Sequence, residues 1–203
     1  MKYRKLEGTD LTVPQYVLGT GDYASNVPAD IARDLLKTYV DCGGTMLDTS
    51  HYYGSFLVGG RSLSECLVGD FLQENHLREQ VLISTKGCCY ATNKPYEKRM
   101  TPAFLRSDLT ESLRNLHTDY IDFYWLHQDD PSQPVGAILE ELNRCVEEGK
   151  IRYFGCSNWK IERILEADAY AEAHGLRKFS ANQVMLNMAC LLYTSPSPRD
   201  AHE

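Results

Sequence analysis

Residues 44–54 combine a structural and a chemical pattern, and they read Gly44-Thr45-Met46-Leu47-Asp48-Thr49-Ser50-His51-Tyr52-Tyr53-Gly54. The segment Thr45-Met46-Leu47 is short and largely apolar, which is typical of a buried strand. Asp48 ends this strand, and Tyr53 follows five residues later in a polar turn that Gly54 closes. Because a carboxylate at the end of a buried strand is costly unless it has a partner, we expect Asp48 to meet a basic group.

Two later strands end in side chains that can act as such partners. Lys86 ends one apolar run, and His127 ends the next. In barrels of alternating strands and helices, the carboxyl ends of the strands form the rim where active sites lie. The sequence therefore predicts that Asp48, Tyr53, Lys86 and His127 converge at one rim.

The rest of the chain alternates apolar strand patterns with amphipathic helix patterns, after a small hairpin predicted over residues 2–14. Strict alternation favours a parallel sheet covered by helices. No Gly-x-Gly-x-x-Gly motif follows the first strand, which disfavours a Rossmann domain. We predict an α/β fold of the (β/α)8 TIM-barrel type, incomplete here, with six strand-helix units after an N-terminal β-hairpin. Its strands are expected to begin near residues 16, 45, 81, 121, 151 and 180.

The chain has 203 residues, whereas a closed eight-fold barrel usually needs about 250. Residues 1–188 are therefore predicted to be a partial barrel. Residues 189–203 contain the alternation Ser195-Pro196-Ser197-Pro198, which blocks a helix and predicts a disordered or foreign tail. Without closure the first and sixth strands have unpaired edges, and such edges predict association between chains.

Composition narrows the possible partners. The net charge of −7 disfavours a nucleic-acid surface, because phosphate contacts need clustered Lys and Arg. No apolar run approaches the roughly 20 residues that cross a bilayer, and residues 1–6 lack the apolar core of a signal peptide. We expect a cytoplasmic protein whose partner is a small molecule, not a nucleic acid or a membrane.

Cysteines and acidic pairs carry little functional signal. The seven cysteines show no disulfide spacing, and the four at positions 42, 66, 145 and 156 follow apolar patterns, which predicts reduced, buried thiols. Asp129 and Asp130 have no third carboxylate nearby in sequence, so loop capping is favoured over a metal site.

The four convergent residues suit carbonyl reduction. This reaction needs a hydride from a nicotinamide and a proton for the carbonyl oxygen. A phenol can donate that proton when a nearby ammonium favours the phenolate. Tyr53 is then the expected proton donor and Lys86 the ammonium, while Asp48 holds the lysine and His127 orients the carbonyl.

Four ordered motifs give the chain a resemblance to the aldo-keto reductases over residues 2–188. This resemblance implies an eight-fold barrel and NADPH-dependent reduction of aldehydes or ketones, with NADH as the other possible cofactor. By position it implies the same catalytic four, and it implies that Ser157, Asn158 and Gln183 hold the nicotinamide amide. Thr20 and Asp48 match further positions at that ring. The motifs span residues 47–54, 84–87, 119–127 and 149–158.

The sequence departs from the family pattern, and three alternative functions stay open. Gly21 stands where the family often has an aromatic residue, and Arg199 is the only Lys or Arg after Gln183. We therefore expect this chain to bind NADPH weakly. The alternatives are an aldolase-type barrel with a Schiff base at Lys86, a non-catalytic barrel that binds NADPH, and an inactive fragment. His51 and Tyr52 are predicted to be structural.

Overall fold

The structure is a computed structural model that describes residues 1–55, 62–90 and 99–185. Within these ranges a hairpin is followed by alternating strands and helices. The elements are β1 (Tyr3–Lys5), β2 (Thr12–Pro14), β3 (Leu18–Gly19), α1 (Ala29–Asp41), β4 (Met46–Asp48), α2 (Leu63–Glu74), β5 (Leu82–Gly87), α3 (Pro102–Asn115), β6 (Ile121–Leu126), α4 (Val135–Glu147), β7 (Ile151–Ser157), α5 (Ile161–His174) and β8 (Asn182–Gln183).

The sheet has the topology that the alternation predicts. Strands β3 to β8 form one parallel sheet in which sequence neighbours are also spatial neighbours. Strands β1 and β2 pair antiparallel as a separate hairpin. The parallel strands curl into a half-barrel, which confirms the prediction of an incomplete (β/α)8 barrel with an N-terminal hairpin.

Local chemistry accounts for the helix ends. The Ser62 hydroxyl accepts a hydrogen bond from the backbone N–H of Glu65 at the start of α2, and Thr101 caps α3 just before Pro102. Both are the capping residues and spacings that satisfy a free helix N-terminus. Gly175 ends α5 with φ of +66°, a left-handed conformation that glycine adopts at little cost.

The core has two parts because residues of each strand alternate between the two faces of the sheet. On β6, Tyr124 and Leu126 pack outward with the helices. Phe123 and Trp125 point into the curl, where they form a second cluster with Leu11 and other apolar residues. The hairpin contributes to this inner cluster, so it covers the amino-terminal end of the half-barrel and leaves the opposite rim accessible.

The first edge of the sheet differs from the prediction. The sequence predicts a strand from about residue 16, but Tyr16 and Val17 are 69% and 41% exposed, and the strand begins at Leu18. On α1, the amphipathic pattern predicts that Ile31 and Leu35 face the core, yet both are exposed. The reason is that β3 and α1 lie at an edge, where no described element covers them.

Apolar side chains are also exposed at the other edge of the parallel sheet. Ile161 and Leu165 on α5 are each 60% exposed, and Val184 after β8 is also exposed. The described residues therefore leave apolar side chains uncovered at both edges of the sheet. The predicted association between chains through these edges stays a prediction.

Three further predictions concern the cysteines, membrane-spanning segments and the carboxyl-terminal tail. Cys42 is exposed, so its predicted burial is wrong, and Cys66 is only partly buried, whereas Cys145 and Cys156 are buried as expected. Cys42 lies just past the end of α1, where its side chain has left the apolar stripe. In the described ranges, none of the helices has the length and apolar character that a membrane crossing requires. The predicted tail at 189–203 lies outside the described residues.

Candidate active site

The carboxyl ends of three neighbouring strands bring the predicted residues to one rim. Asp48 is the last residue of β4, Lys86 is the penultimate residue of β5, and His127 directly follows β6. These strands are adjacent and parallel. Their ends therefore lie side by side, as the sequence predicts.

Asp48 and Lys86 form a buried ion pair at the centre of this rim. The Lys86 Nζ donates to Asp48 Oδ2 at 2.5 Å and to the backbone carbonyl of Thr49 at 2.9 Å. The Lys86 side chain is 3% exposed and that of Asp48 is 14% exposed. Water screens a pair at such a position much less than a surface pair, so each charge depends on the other for stabilisation.

The second oxygen of Asp48 is held by a serine. Ser84 Oγ donates to Asp48 Oδ1 at 2.6 Å, and Trp125 Nε1 donates to the same Ser84 oxygen at 2.7 Å. From β8, Gln183 Nε2 approaches Asp48 Oδ2 at 3.4 Å. The carboxylate is thus oriented by β5 on one side and by β8 across the curl.

Tyr53 lies between the lysine and the histidine. Lys86 Nζ is 5.0 Å from the centroid of the Tyr53 ring. The Tyr53 and His127 rings meet edge to face, with centroids 5.8 Å apart and an interplanar angle of 88°. Aromatic pairs favour this geometry. All four predicted side chains therefore form one contiguous cluster.

The backbone around Tyr53 is fixed by a tight turn. The Tyr53 N–H donates to the carbonyl of Ser50, and Ser62 Oγ donates to the carbonyls of both Ser50 and Tyr53. Gly54 has φ of +76°, a conformation that favours glycine. Gly21 lies beside the phenol, since a Cβ added there would be 3.8 Å from the Tyr53 ring.

His127 is neutral at physiological pH. Burial, together with the charge of Lys86, lowers the pKa of its imidazole to about 4, while Asp48 acts in the opposite direction. Its Nδ1 lies 3.0 Å from Ser50 Oγ. A neutral imidazole carries one proton on one of its two nitrogens, so the ring can present either a donor or an acceptor to the pocket.

Polar side chains at the ends of β7 and β8 extend the site. Asn158 Nδ2 donates to Ser157 Oγ at 3.2 Å, and Ser157 Oγ donates to the backbone carbonyl of Gln183. Asn158 has φ of +56°, and strained backbone of this kind concentrates at functional sites. This hydroxyl and these two carboxamides offer both donors and acceptors, so the chemistry of the set suits a planar primary amide such as that of nicotinamide.

Thr20 lies beneath the site and holds the backbone of Asp48 through hydrogen bonds. Its side chain is fully buried, and its hydroxyl contacts the Asp48 carbonyl at 3.1 Å and Ser64 Oγ at 2.7 Å. The Thr20 backbone N–H also donates to the Asp48 carbonyl. Thr20 therefore fixes the backbone that carries Asp48, and its predicted contact with a nicotinamide ring stays a prediction.

Several contacts around the site carry no signal in the sequence. The serines at 50 and 84 fix His127 and Asp48, but a serine beside a strand end is too common to predict such a role. Glu65 is fully buried behind β5, and its carboxylate accepts hydrogen bonds from Thr85 and Asn115. Burial raises the pKa of this carboxyl. Apolar periodicity cannot reveal a polar side chain that folding buries.

The neighbours of Tyr53 have other partners. His51 contacts Glu111 on α3, with Nε2 2.7 Å from Glu111 Oε2. Ser55 Oγ donates to the carbonyl of Tyr52. Among the residues that the structure describes, no three His, Cys, Asp or Glu side chains are grouped so that they could hold a metal ion.

Comparison with known proteins identifies the family of the chain. The model of the aldo/keto reductase family matches residues 16–202. The aldo-keto reductase YhdN of Bacillus subtilis is 29% identical over 181 residues, which is 87% of this chain and 53% of that protein. The aryl-alcohol dehydrogenase GME11368 of Pestalotiopsis microspora is 30% identical over 76% of this chain and 40% of its own length.

A third relative is the norsolorinic acid reductase of Aspergillus flavus, which is 30% identical over 82% of this chain and 42% of its own length. The chain thus spans about half or less of the length of these relatives. The family match covers most of the described fold and every residue of the site. The chain therefore belongs to the aldo/keto reductase family.

Proposed function

We propose that this protein is an oxidoreductase that reduces an aldehyde or ketone to an alcohol with NADPH, with Tyr53 as the proton donor. The observation that carries the proposal is the Asp48–Lys86 ion pair at 2.5 Å with the Tyr53 ring beside it and the His127 ring against that phenol. Family membership supports the oxidoreductase class. The choice of NADPH over NADH rests on the resemblance alone.

The residues of the chain divide the work of the reaction. A reduced nicotinamide, when bound, supplies the hydride. Tyr53 donates its phenolic proton to the carbonyl oxygen as negative charge develops there. The Lys86 ammonium stabilises the phenolate that remains, and Asp48 keeps the ammonium in place through its bond to Nζ. The neutral His127 ring orients the carbonyl oxygen beside the phenol.

Ser157, Asn158 and Gln183 are the residues that would hold the nicotinamide carboxamide. They lie at the ends of β7 and β8, and Gln183 reaches Asp48. A carboxamide held there lies close to the ion pair. A nicotinamide held by these residues would supply its hydride near Tyr53 and His127.

The Schiff-base alternative finds less support. Lys86 Nζ donates to a carboxylate and to a backbone carbonyl, whereas a nucleophilic lysine must present a free amine. Nothing in that alternative uses Tyr53 or the amide set on β7 and β8. Borohydride trapping of a carbonyl compound on Lys86 would revive it.

The test compares two adjacent tyrosines. NADPH oxidation is followed with a panel of aldehydes under single-turnover conditions, at enzyme and cofactor concentrations high enough to offset weak binding. Tyr53→Phe is expected to abolish reduction while cofactor binding, measured by fluorescence, stays unchanged. Tyr52→Phe is the matched control and should keep its activity. Equal rates for the wild type and Tyr53→Phe would remove Tyr53 from the mechanism.

A further inference from the structure

A buried serine contacts the Nδ1 edge of the His127 ring. Ser50 is fully buried, and its Oγ is 3.0 Å from His127 Nδ1. The Ser50 backbone is fixed by two hydrogen bonds, because its carbonyl oxygen accepts from Ser62 Oγ and from the Tyr53 N–H. The contact therefore joins a rigid turn to the imidazole.

The hydrogen bonds of the Ser50 hydroxyl can be assigned one by one. A hydroxyl has one proton to donate and two lone pairs to accept with. The backbone N–H of Tyr52 donates to this oxygen at 3.1 Å, so one lone pair is used. The proton can go to His127 Nδ1 at 3.0 Å or to the backbone carbonyl of Lys86 at 3.3 Å.

Two observations favour the imidazole as the acceptor. The Nδ1 contact is the shorter of the two, and the Lys86 carbonyl already accepts from the His51 N–H at 2.9 Å. Nδ1 without a proton needs a donor, because a buried acceptor left unpaired is costly. Donation from Ser50 satisfies it.

We propose that Ser50 is a positioning residue that donates its hydroxyl proton to His127 Nδ1 and thereby selects the tautomer with the proton on Nε2. Nε2 is the ring nitrogen left for the pocket. The ring then presents an N–H donor there, which is what a carbonyl oxygen with growing negative charge requires. The opposite tautomer presents a lone pair, which repels that oxygen.

The neutrality of the ring makes this selection matter. Burial and Lys86 lower the pKa of His127 to about 4, so the ring is not a double donor at neutral pH. Its hydrogen-bonding character then depends on which nitrogen holds the single proton. The consequence for catalysis rests on the proposed function, but the tautomer itself does not.

The experiment reads the tautomer directly, without cofactor or substrate. Long-range proton–nitrogen NMR correlation on the 15N-histidine-labelled chain distinguishes the protonated ring nitrogen from the bare one. At pH 7 we expect His127 to show a protonated Nε2 and a bare Nδ1 that accepts a hydrogen bond. A proton on Nδ1 in the wild-type chain would overturn the proposal whatever the activity of the protein.

Three variants separate this role from a structural one. Ser50→Ala should move the Nδ1 resonance toward that of a nitrogen without a hydrogen-bond donor and shift the tautomer ratio by up to about tenfold, the equivalent of one ordinary hydrogen bond. Ser50→Thr should restore the wild-type spectrum. Ser55→Ala removes a hydroxyl of the same turn that donates to the carbonyl of Tyr52, and it should leave the His127 resonances unchanged.

An unchanged Nδ1 resonance in Ser50→Ala would also refute the proposal. If Ser50→Ala does not fold, the wild-type and Ser50→Thr spectra still decide it. In active protein, Ser50→Ala should lower kcat for carbonyl reduction while KM for the nicotinamide cofactor stays constant. An intact tautomer selection in a protein without reductase activity would instead count against the proposed function alone.

Discussion

Removing the Lys86 ammonium tests how strongly the site depends on its buried ion pair. Lys86→Met keeps most of the length of the side chain but leaves the Asp48 carboxylate without its cation. Breaking a buried pair by removing one partner costs about 3–5 kcal/mol. Asp48 retains the Ser84 and Gln183 hydrogen bonds, so we expect the lower end, about 3 kcal/mol of lost unfolding free energy.

The chain provides a matched control for this measurement. Lys37 and Asp41 on α1 form a pair with the same 2.5 Å separation, but their side chains are 66% and 60% exposed. Exposed pairs four residues apart on a helix contribute about 0.3–0.5 kcal/mol. Lys37→Met should therefore cost several-fold less than Lys86→Met, although both remove a lysine from an aspartate at equal distance.

The assay is urea denaturation followed by circular dichroism, with the slope of the transition compared between variants. Adding Asp48→Asn to Lys86→Met should recover about 1 kcal/mol or more, because the double variant no longer buries an unpaired charge. Equal losses for Lys86→Met and Lys37→Met would refute the reasoning. So would a double variant that is no more stable than Lys86→Met.

Three further outcomes follow from the described contacts. The pKa of His127 is about 4 in the folded chain and about 6.5 when the chain is unfolded. The stabilisation that depends on the neutral ring is therefore complete above pH 6.5 and is lost as the pH falls to 4. His127→Gln should remove this pH dependence of the unfolding free energy, which amounts to on the order of 3 kcal/mol over the window, in denaturation curves recorded at each pH. Gly87→Ala should cost about 2 kcal/mol of unfolding free energy, because its Cβ would clash with the buried Tyr124 hydroxyl. Tyr124→Phe removes this hydroxyl, which has no hydrogen-bond partner in the described structure, and should restore most of that loss in denaturation curves. Gel filtration should show concentration-dependent association, and Ile31→Lys with Leu165→Lys should reduce it, whereas a single monomeric peak for the wild type would contradict the role of the exposed edges.

Much of the fold is accessible to sequence reasoning because local patterns and topology agree. The fourth strand was expected near residue 121 and the fifth near 151, and β6 and β7 begin at those residues. Once parallel order is inferred, the ends of neighbouring strands must share a rim. That geometric rule brings Asp48, Lys86 and His127 together without any knowledge of side-chain contacts.

Two features could not be predicted from the sequence, because each depends on residues that are distant along the chain. Periodicity identifies Ile31 as part of an apolar stripe, but burial of that stripe requires an adjacent element, and the described chain has none at this edge. In the site, the Ser50 contact with His127 joins residues 77 positions apart. A hydroxyl that matters through a single hydrogen bond leaves no periodic trace.

The hydrogen bond between Gln183 and Asp48 has a consequence for the shape of the sheet. It joins β8 to β4, the second strand of the parallel sheet, across 135 positions of sequence. It can form only while the sheet is bent enough for these two strands to face each other. The 3.4 Å distance between Gln183 Nε2 and Asp48 Oδ2 therefore reports how strongly the parallel sheet is curved. Any opening of the arch lengthens this bond before it disturbs the pairing of adjacent strands, so the same motion that flattens the fold also loosens the carboxylate that holds Lys86.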